Sequence, residues 1–271
     1  MTSLRSRTSP SGQAAGERDF RLGRAGNGRR RTTSLLDADP DLGIGLWGEE
    51  FLSATRGAIA RVIHLNESHG GLSWIEDGLD ASGLGLFVLE GLLVRSVTVG
   101  RRSAGELLGT GDLIGPAAND RGYDGLSVSV DWRAVCATSV AVLDSGFALR
   151  IAPWPTVAAQ LIARATHRTS RLALIQAAAR NPRVAPRLLV MFWLFAQRWG
   201  TVGPDGIHVT LPLTHKTIAN LAGAARPTVT STLQQLARAD LLRRESPSRW
   251  LLSNQALQSV ANPEGILRSS A

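Results

Sequence analysis

Cysteine is almost missing from this chain. Cys136 is the only one in 271 residues. No internal disulfide can form, and neither a multi-cysteine zinc site nor an iron–sulfur cluster on the usual several thiolates is available. Lysine is as scarce: Lys216 stands alone among 30 basic residues, the others all being arginine. That bias fits a GC-rich genome better than a chemical requirement. Aromatic residues make up only 5%. No apolar run approaches the ~20 residues that a membrane span requires. No apolar core follows the first charges as a signal peptide would need. The expectation is a cytosolic protein without membrane contact. Enzyme chemistry also lacks its marks, with no Ser/His/Asp or Cys/His arrangement, phosphate loop or metal-ligand spacing. No catalytic residue, cofactor or metal site is expected.

What the chain does have is positive charge, unevenly placed. Residues 1–34 hold eight arginines and two acids (+6), residues 35–181 twelve basic and sixteen acidic groups (−4), and residues 182–271 ten basic and four acidic groups (+6). A mildly acidic middle beside a basic C-terminal module is expected when only one domain meets a polyanion. The length allows two domains. The first 34 residues are polar, Gly/Ser-rich and aperiodic, and read as a disordered basic arm. Such an arm either adds nonspecific DNA affinity or reflects an over-long start site with no function; both readings stay open.

The most informative stretch runs from Pro212 to Leu242. Thr214 can cap a short helix in which Ile218, Leu221 and Ala222 recur at helical spacing. Gly223 stands where the chain must turn sharply. A second helix follows, buried along Val229, Leu233 and Leu236. Its other face carries Arg226, Pro227, Thr228, Thr230, Ser231 and Gln234, with no acid among them. A surface entering a major groove cannot present carboxylates to phosphates and needs donors for base edges. This is the layout of a DNA-reading helix-turn-helix. Leu241–Glu245 and Arg249–Leu252 then read as a hairpin around Ser246-Pro247-Ser248. Directly after a recognition helix, such a hairpin is a wing, with Arg243, Arg244 and Arg249 placed to touch the phosphate backbone. Ile207–Leu213 can add a third strand. The expected DNA surface also includes Thr214, His215 and Lys216 at the head of the first helix. Two plainer readings compete: a two-helix corner with a solvated face, and a basic winged helix serving protein–protein contact without specific DNA reading.

Upstream, residues 47–61 look like an amphipathic helix. Short apolar segments cut by glycines follow at Val62–Leu65, Gly83–Leu89, Leu92–Val99, Glu106–Leu108, Leu113-Ile114, Leu126–Val130 and Val140–Leu143. Many short strands with Gly-rich turns predict an antiparallel barrel or roll. Ser145–Trp154 returns to a helical rhythm. A long helix is predicted from Pro155 to about Asn181, with Val157, Leu161, Ala165, Leu172, Ile175 and Ala179 on one side, interrupted by Arg168. A stripe of that length suggests a helix pairing with its twin; the alternative is a helix packed on its own domain.

The fold class is therefore α+β: an N-terminal antiparallel β-roll, a long dimerisation helix and a C-terminal winged helix-turn-helix. The domains are placed at 1–34 (arm), 35–154 (sensor roll), 155–181 (dimerisation helix) and 182–271 (DNA-binding). This order resembles the cyclic-AMP receptor protein (Crp/Fnr) family over about residues 35–254. The motifs carrying it are T-H-K-T-I-A-N-L-A-G-A-A-R-P-T-V-T-S-T-L and the roll segments L-F-V-L-E-G-L-L-V and L-L-G-T-G-D-L-I-G. The resemblance implies a homodimeric transcription regulator on a palindromic operator. It further implies double-stranded DNA, RNA polymerase and an unknown small-molecule effector as partners. Arg226 would be the bidentate guanine reader. Pro227 and Ser231 stand where the family carries glutamate and a second arginine, which puts its usual target in doubt. Cyclic-nucleotide binders of the family place glutamate after the glycine matching Gly115, and an arginine near Val128. Here Pro116 and Val128 occupy those places, with Arg121 and Arg133 out of register. A buried phosphate without a positive partner is costly, so cyclic-AMP binding is expected to be lost. Haem would need His64 or His69 as axial ligand, and lone histidines near loops are mostly solvated.

Overall fold

The structure, a computed structural model, describes residues 32–66, 82–115 and 127–261. The readings placed on residues 1–31, on His69, and on Pro116 and Arg121 lie outside the described residues.

Two antiparallel sheets form the roll. The first has the order β1-β2-β8-β3-β6, from β1 (Thr32–Ser34), β2 (Ile59–Leu65), β3 (Gly85–Glu90), β6 (Leu113–Ile114) and β8 (Thr138–Leu143). The second has the order β5-β4-β7, from β4 (Leu92–Val99), β5 (Arg102–Gly109) and β7 (Val128–Ala134). Alternation along the strands explains the layering. Leu86, Val88, Leu93, Leu108, Val140 and Val142 point between the sheets, around a fully buried Trp132. Phe87, Ala141 and Leu143 point the other way, into a second core with α1 (Leu35–Ala38), α2 (Gly48–Gly57), α3 (Ser145–Ile151) and the first half of α4 (Pro155–Ala179).

The outer face of the second sheet is also buried. Leu92, Val94, Leu107 and Val135 join a third core with α5 (Val184–Trp199), α6 (His215–Ala222) and α7 (Arg226–Arg238). A four-stranded sheet, β11-β12-β10-β9, closes that core. It is built from β9 (Gly200–Gly203), β10 (Gly206–Thr210), β11 (Leu242–Arg244) and β12 (Arg249–Ser253), and α8 (Asn254–Ala261) follows it. Phe192 of α5 packs on Trp250 of β12 with ring centroids 4.9 Å apart.

Several expectations shift. The helix of residues 47–61 ends at Gly57, and Ile59 already begins β2. The strand expected at Leu126–Val130 lies instead at Val128–Ala134, where it pairs with β4. Thr32–Ser34, counted with the arm, pair with Ile59–Arg61. The stripe on the long helix divides along its length. Val157 and Leu161 are buried in the chain's own core, with Ala165 packed against it. Arg168, the interruption, reaches buried Glu106 of β5 at 2.7 and 2.8 Å. Ile175 and Ala179 face α5 and α6. Beyond Arg168 the stripe is covered less, with Leu172 and Ile175 half-buried and Ala179 exposed. Exposed residues of α4 include Ile162, Thr166, His167, Ser170, Ala173, Leu174 and Gln176. Arg168 had marked the packed side.

Candidate nucleic-acid interface

The helix-turn-helix forms for the reasons its sequence suggests. Thr214 caps α6 through Oγ1, which accepts from the Thr217 amide at 3.1 Å. Gly223 ends α6 in the left-handed region at φ +59°, where an L side chain is strained. Ala224 then donates back to the Ala219 carbonyl at 3.0 Å, and α7 begins at Arg226. Pro227 sits in the first turn, where a missing N–H costs nothing. Ala225 precedes the helix without a side-chain cap, so the leading amides of α7 meet no capping oxygen.

Val229, Thr232, Leu233 and Leu236 of α7 are buried, while Arg226, Pro227, Thr228, Ser231 and Gln234 are exposed. Thr230 and His215 have a different place. Thr230 Oγ1 donates to the Arg226 carbonyl at 3.1 Å, and His215 Nδ1 lies 3.0 Å from the same hydroxyl. Together they clasp α6 to α7. Ser231 donates to the Thr228 carbonyl at 3.0 Å. Thr214 and Lys216 are exposed at the head of α6.

The wing forms as expected, with Arg243 opposite Leu251 and Arg244 opposite Trp250. Its arginines are not bare. Glu245 lies 3.2 Å from Arg249 Nε and 3.6 Å from Arg243 Nη2. Arg243 also meets Asp205 at 3.4 Å and Asp240 at 3.5 Å. His208 stands between Glu245 and Asp205, at 3.0 and 3.1 Å. A hydrogen bond with its own backbone, and then His208 and Arg243, hold the Asp205 carboxyl below its usual pKa. Arg244, itself exposed, has its guanidinium 5.2 Å from the Trp250 ring and bonded to the Ser246 carbonyl at 3.1 Å. These acids were missed because each comes from a different turn or strand.

One surface of this module meets the roll. Arg133 Nη2 donates to Thr217 Oγ1 at 3.1 Å, and Asn220 Nδ2 donates to Ser96 Oγ at 2.6 Å. A methyl group at Gly105 of β5 would come within 3.1 Å of the Asn220 side chain, so glycine allows this close approach. Arg133, out of register with the family's phosphate-binding arginine, faces α6.

Between the roll and α4 lies a cavity of about 810 Å³, lined among others by Leu113, Ile114, Trp132, Ile162 and Leu172. Two arginines, Arg95 and Arg168, line it as well. The sequence reading missed both, since they come from β4 and α4. Arg168 is committed to Glu106, while Arg95 lies 5.8 Å from the Trp132 ring. Val128 opens β7 opposite Val99. His64 is exposed on β2 and bonded to Ser139 at 2.9 Å.

Residues 182–259 match the family of Crp-like helix-turn-helix domains. Three solved structures share the fold. A CooA mutant from Carboxydothermus hydrogenoformans is 16% identical with a TM-score of 0.56, the match covering 84% of this chain and 94% of that one. FixK2 from Bradyrhizobium japonicum is 18% identical at 0.55, covering 75% and 96%. A cyclic nucleotide-binding domain containing protein from Listeria monocytogenes EGD-e is 11% identical at 0.57, covering 72% and 90%. A comparison with curated proteins gave no match. The chain thus shares the α+β fold of these structures, and its C-terminal module is similar to Crp-like helix-turn-helix domains.

Proposed function

We propose that the protein is a sequence-specific, DNA-binding transcription regulator that acts as a homodimer on a palindromic operator, and that it is not an enzyme. The single observation that carries this reading is the solvent face of α7. Arg226, Thr228, Ser231 and Gln234 are exposed there, while Val229, Leu233 and Leu236 are buried and no acidic residue occurs in the helix. Arg226 supplies a bidentate donor for guanine O6 and N7. The uncapped amides at the head of α7, with Lys216 and Thr214 of α6, suit phosphate oxygens. Arg243 and Arg249 supply the wing's backbone contacts. The seam between protomers runs along α4, where Leu172, Ile175 and Ala179 are half-buried or exposed.

The sensor cavity is proposed to take an effector other than cyclic AMP. What supports this is that Pro116 and Val128 stand at the two family positions in the sequence, and that Arg168 of the cavity is paired with Glu106.

The reader is tested by Arg226→Ala, measured on a selected site and on random duplex. A loss of ~1–3 kcal/mol confined to the selected site is expected, with relaxed preference at one position of each half-site. Equal loss on both DNAs would assign Arg226 to the backbone and remove the basis for base reading.

A further inference from the structure

His208 of β10 brings both of its ring nitrogens to carboxylates. Nδ1 lies 3.0 Å from Glu245 Oε2, just after β11, and Nε2 lies 3.1 Å from Asp205 Oδ1 in the turn between β9 and β10. A neutral imidazole has a single N–H and can donate to only one of them, whereas the cation donates to both. The ring is held in place. A methyl group at Gly203 of β9 would come within 3.0 Å of its Cδ2 and Nε2, and the side chain is only 17% exposed.

The same two carboxylates engage the cations of the wing. Glu245 meets Arg249 Nε at 3.2 Å and Arg243 Nη2 at 3.6 Å, and Asp205 meets Arg243 Nη2 at 3.4 Å. Asp240, in the turn after α7, adds a contact to Arg243 Nη1 at 3.5 Å. The cross-strand neighbours of His208, Thr201 on β9 and Leu251 on β12, carry no charge. Arg244 engages the Trp250 ring and the carbonyls of Ser246 and Pro247 instead. Among the described residues, two guanidiniums in this network therefore stand against three carboxylates. It carries one net negative charge while His208 is neutral and none once His208 is protonated. Asp205 stays ionised throughout, since a hydrogen bond with its own backbone, and then His208 and Arg243, hold its carboxyl below the usual pKa.

A phosphate that draws Arg243 and Arg249 away leaves Glu245 and Asp205 to His208. The negative field of the duplex favours the same protonation. Both effects have one sign. Resting on the reading of the wing as a DNA-backbone contact, we propose that DNA binding takes up a proton at His208, whose cation then holds Glu245 and Asp205 while Arg243 and Arg249 turn to the phosphates. The protonated form binds more tightly, so DNA affinity falls as the pH rises through the range in which histidine ordinarily loses its charge, about pH 5 to 8.

The test is the affinity of the full chain for random-sequence duplex DNA at constant salt, at about pH 6 and about pH 8. The wild type should bind at least about fivefold more weakly at the higher pH. His208→Gln keeps a hydrogen bond but cannot take a charge, and should remove most of that difference while His215 at the head of α6 is left unchanged. Glu245→Gln releases Arg243 and Arg249 without a proton, so it should bind more tightly than the wild type at the higher pH, with a flatter profile. Binding heats in two buffers of different ionisation enthalpy should show a proton uptake that His208→Gln reduces. Equal pH profiles in the wild type and His208→Gln would overturn the proposal, as would a Glu245→Gln protein that binds no more tightly at the higher pH. The salt slope of Arg249→Gln separates the two readings. A lowered slope with an unaltered His208→Gln profile keeps the wing on DNA and removes the proton, whereas an unchanged slope removes both.

Discussion

Glu245 decides how the wing can meet DNA. It sits between Arg249 and Arg243, so in the free protein one carboxylate engages both cations proposed for the backbone. Arg249 and Arg243 nevertheless keep 52% and 45% of their side chains exposed. Ion pairs that open to water are worth little, so a phosphate can draw either guanidinium away. Arg249→Gln should therefore weaken binding to every sequence alike and lower the salt slope by about one unit. The check is a titration of DNA affinity against salt. An unchanged slope would show that Arg249 stays on Glu245 and the wing points away from DNA.

At the scale of elements, the turn between α6 and α7 shows why this module was legible in the sequence. A capping threonine, an apolar period of three and four, and a glycine at the turn are all local signals, and each produced its element. Gly223→Ala tests that account. No atom lies within 4 Å of the added methyl, so its cost comes from the left-handed backbone alone. Stability should fall by about 1 kcal/mol, read from the urea midpoint. A loss near zero would mean that the turn relaxes to another conformation. The α5 helix, by contrast, was not read. Its core segment buries Leu188, Leu189, Met191, Phe192, Leu194, Phe195 and Ala196, so it is apolar nearly all round and shows no stripe to detect. The α4 stripe was seen, and its first part, Val157 and Leu161, is covered by the chain's own core. Periodicity says that a face is buried, not what covers it.

Over the whole molecule, the unforeseen feature is how far the roll and the winged domain are joined. Leu92, Val94 and Leu107 of the roll share one core with α5, α6 and α7, and Arg133 and Asn220 link the two by side-chain hydrogen bonds. Such contacts join residues about a hundred positions apart, and nothing in a strand's own pattern signals them. The 810 Å³ cavity lies at the back of the same sheet that seats α6, so an effector bound there would act on that sheet. Calorimetry should show no saturable heat with cyclic AMP or cyclic GMP at millimolar concentration, and neither should move the DNA affinity. An effector that does belong there should move it by roughly 1 kcal/mol or more. Micromolar binding of either nucleotide would point to Arg95 as the phosphate partner.

Selection of bound sequences from random duplex DNA by the full chain tests the central claim, that α7 reads base edges from a two-fold dimer. The account predicts an enriched palindrome with half-sites about one helical turn, ~34 Å, apart. A guanine in each half-site should lose its enrichment in Arg226→Ala. Enrichment of no motif, or of a single unpaired half-site, would contradict it.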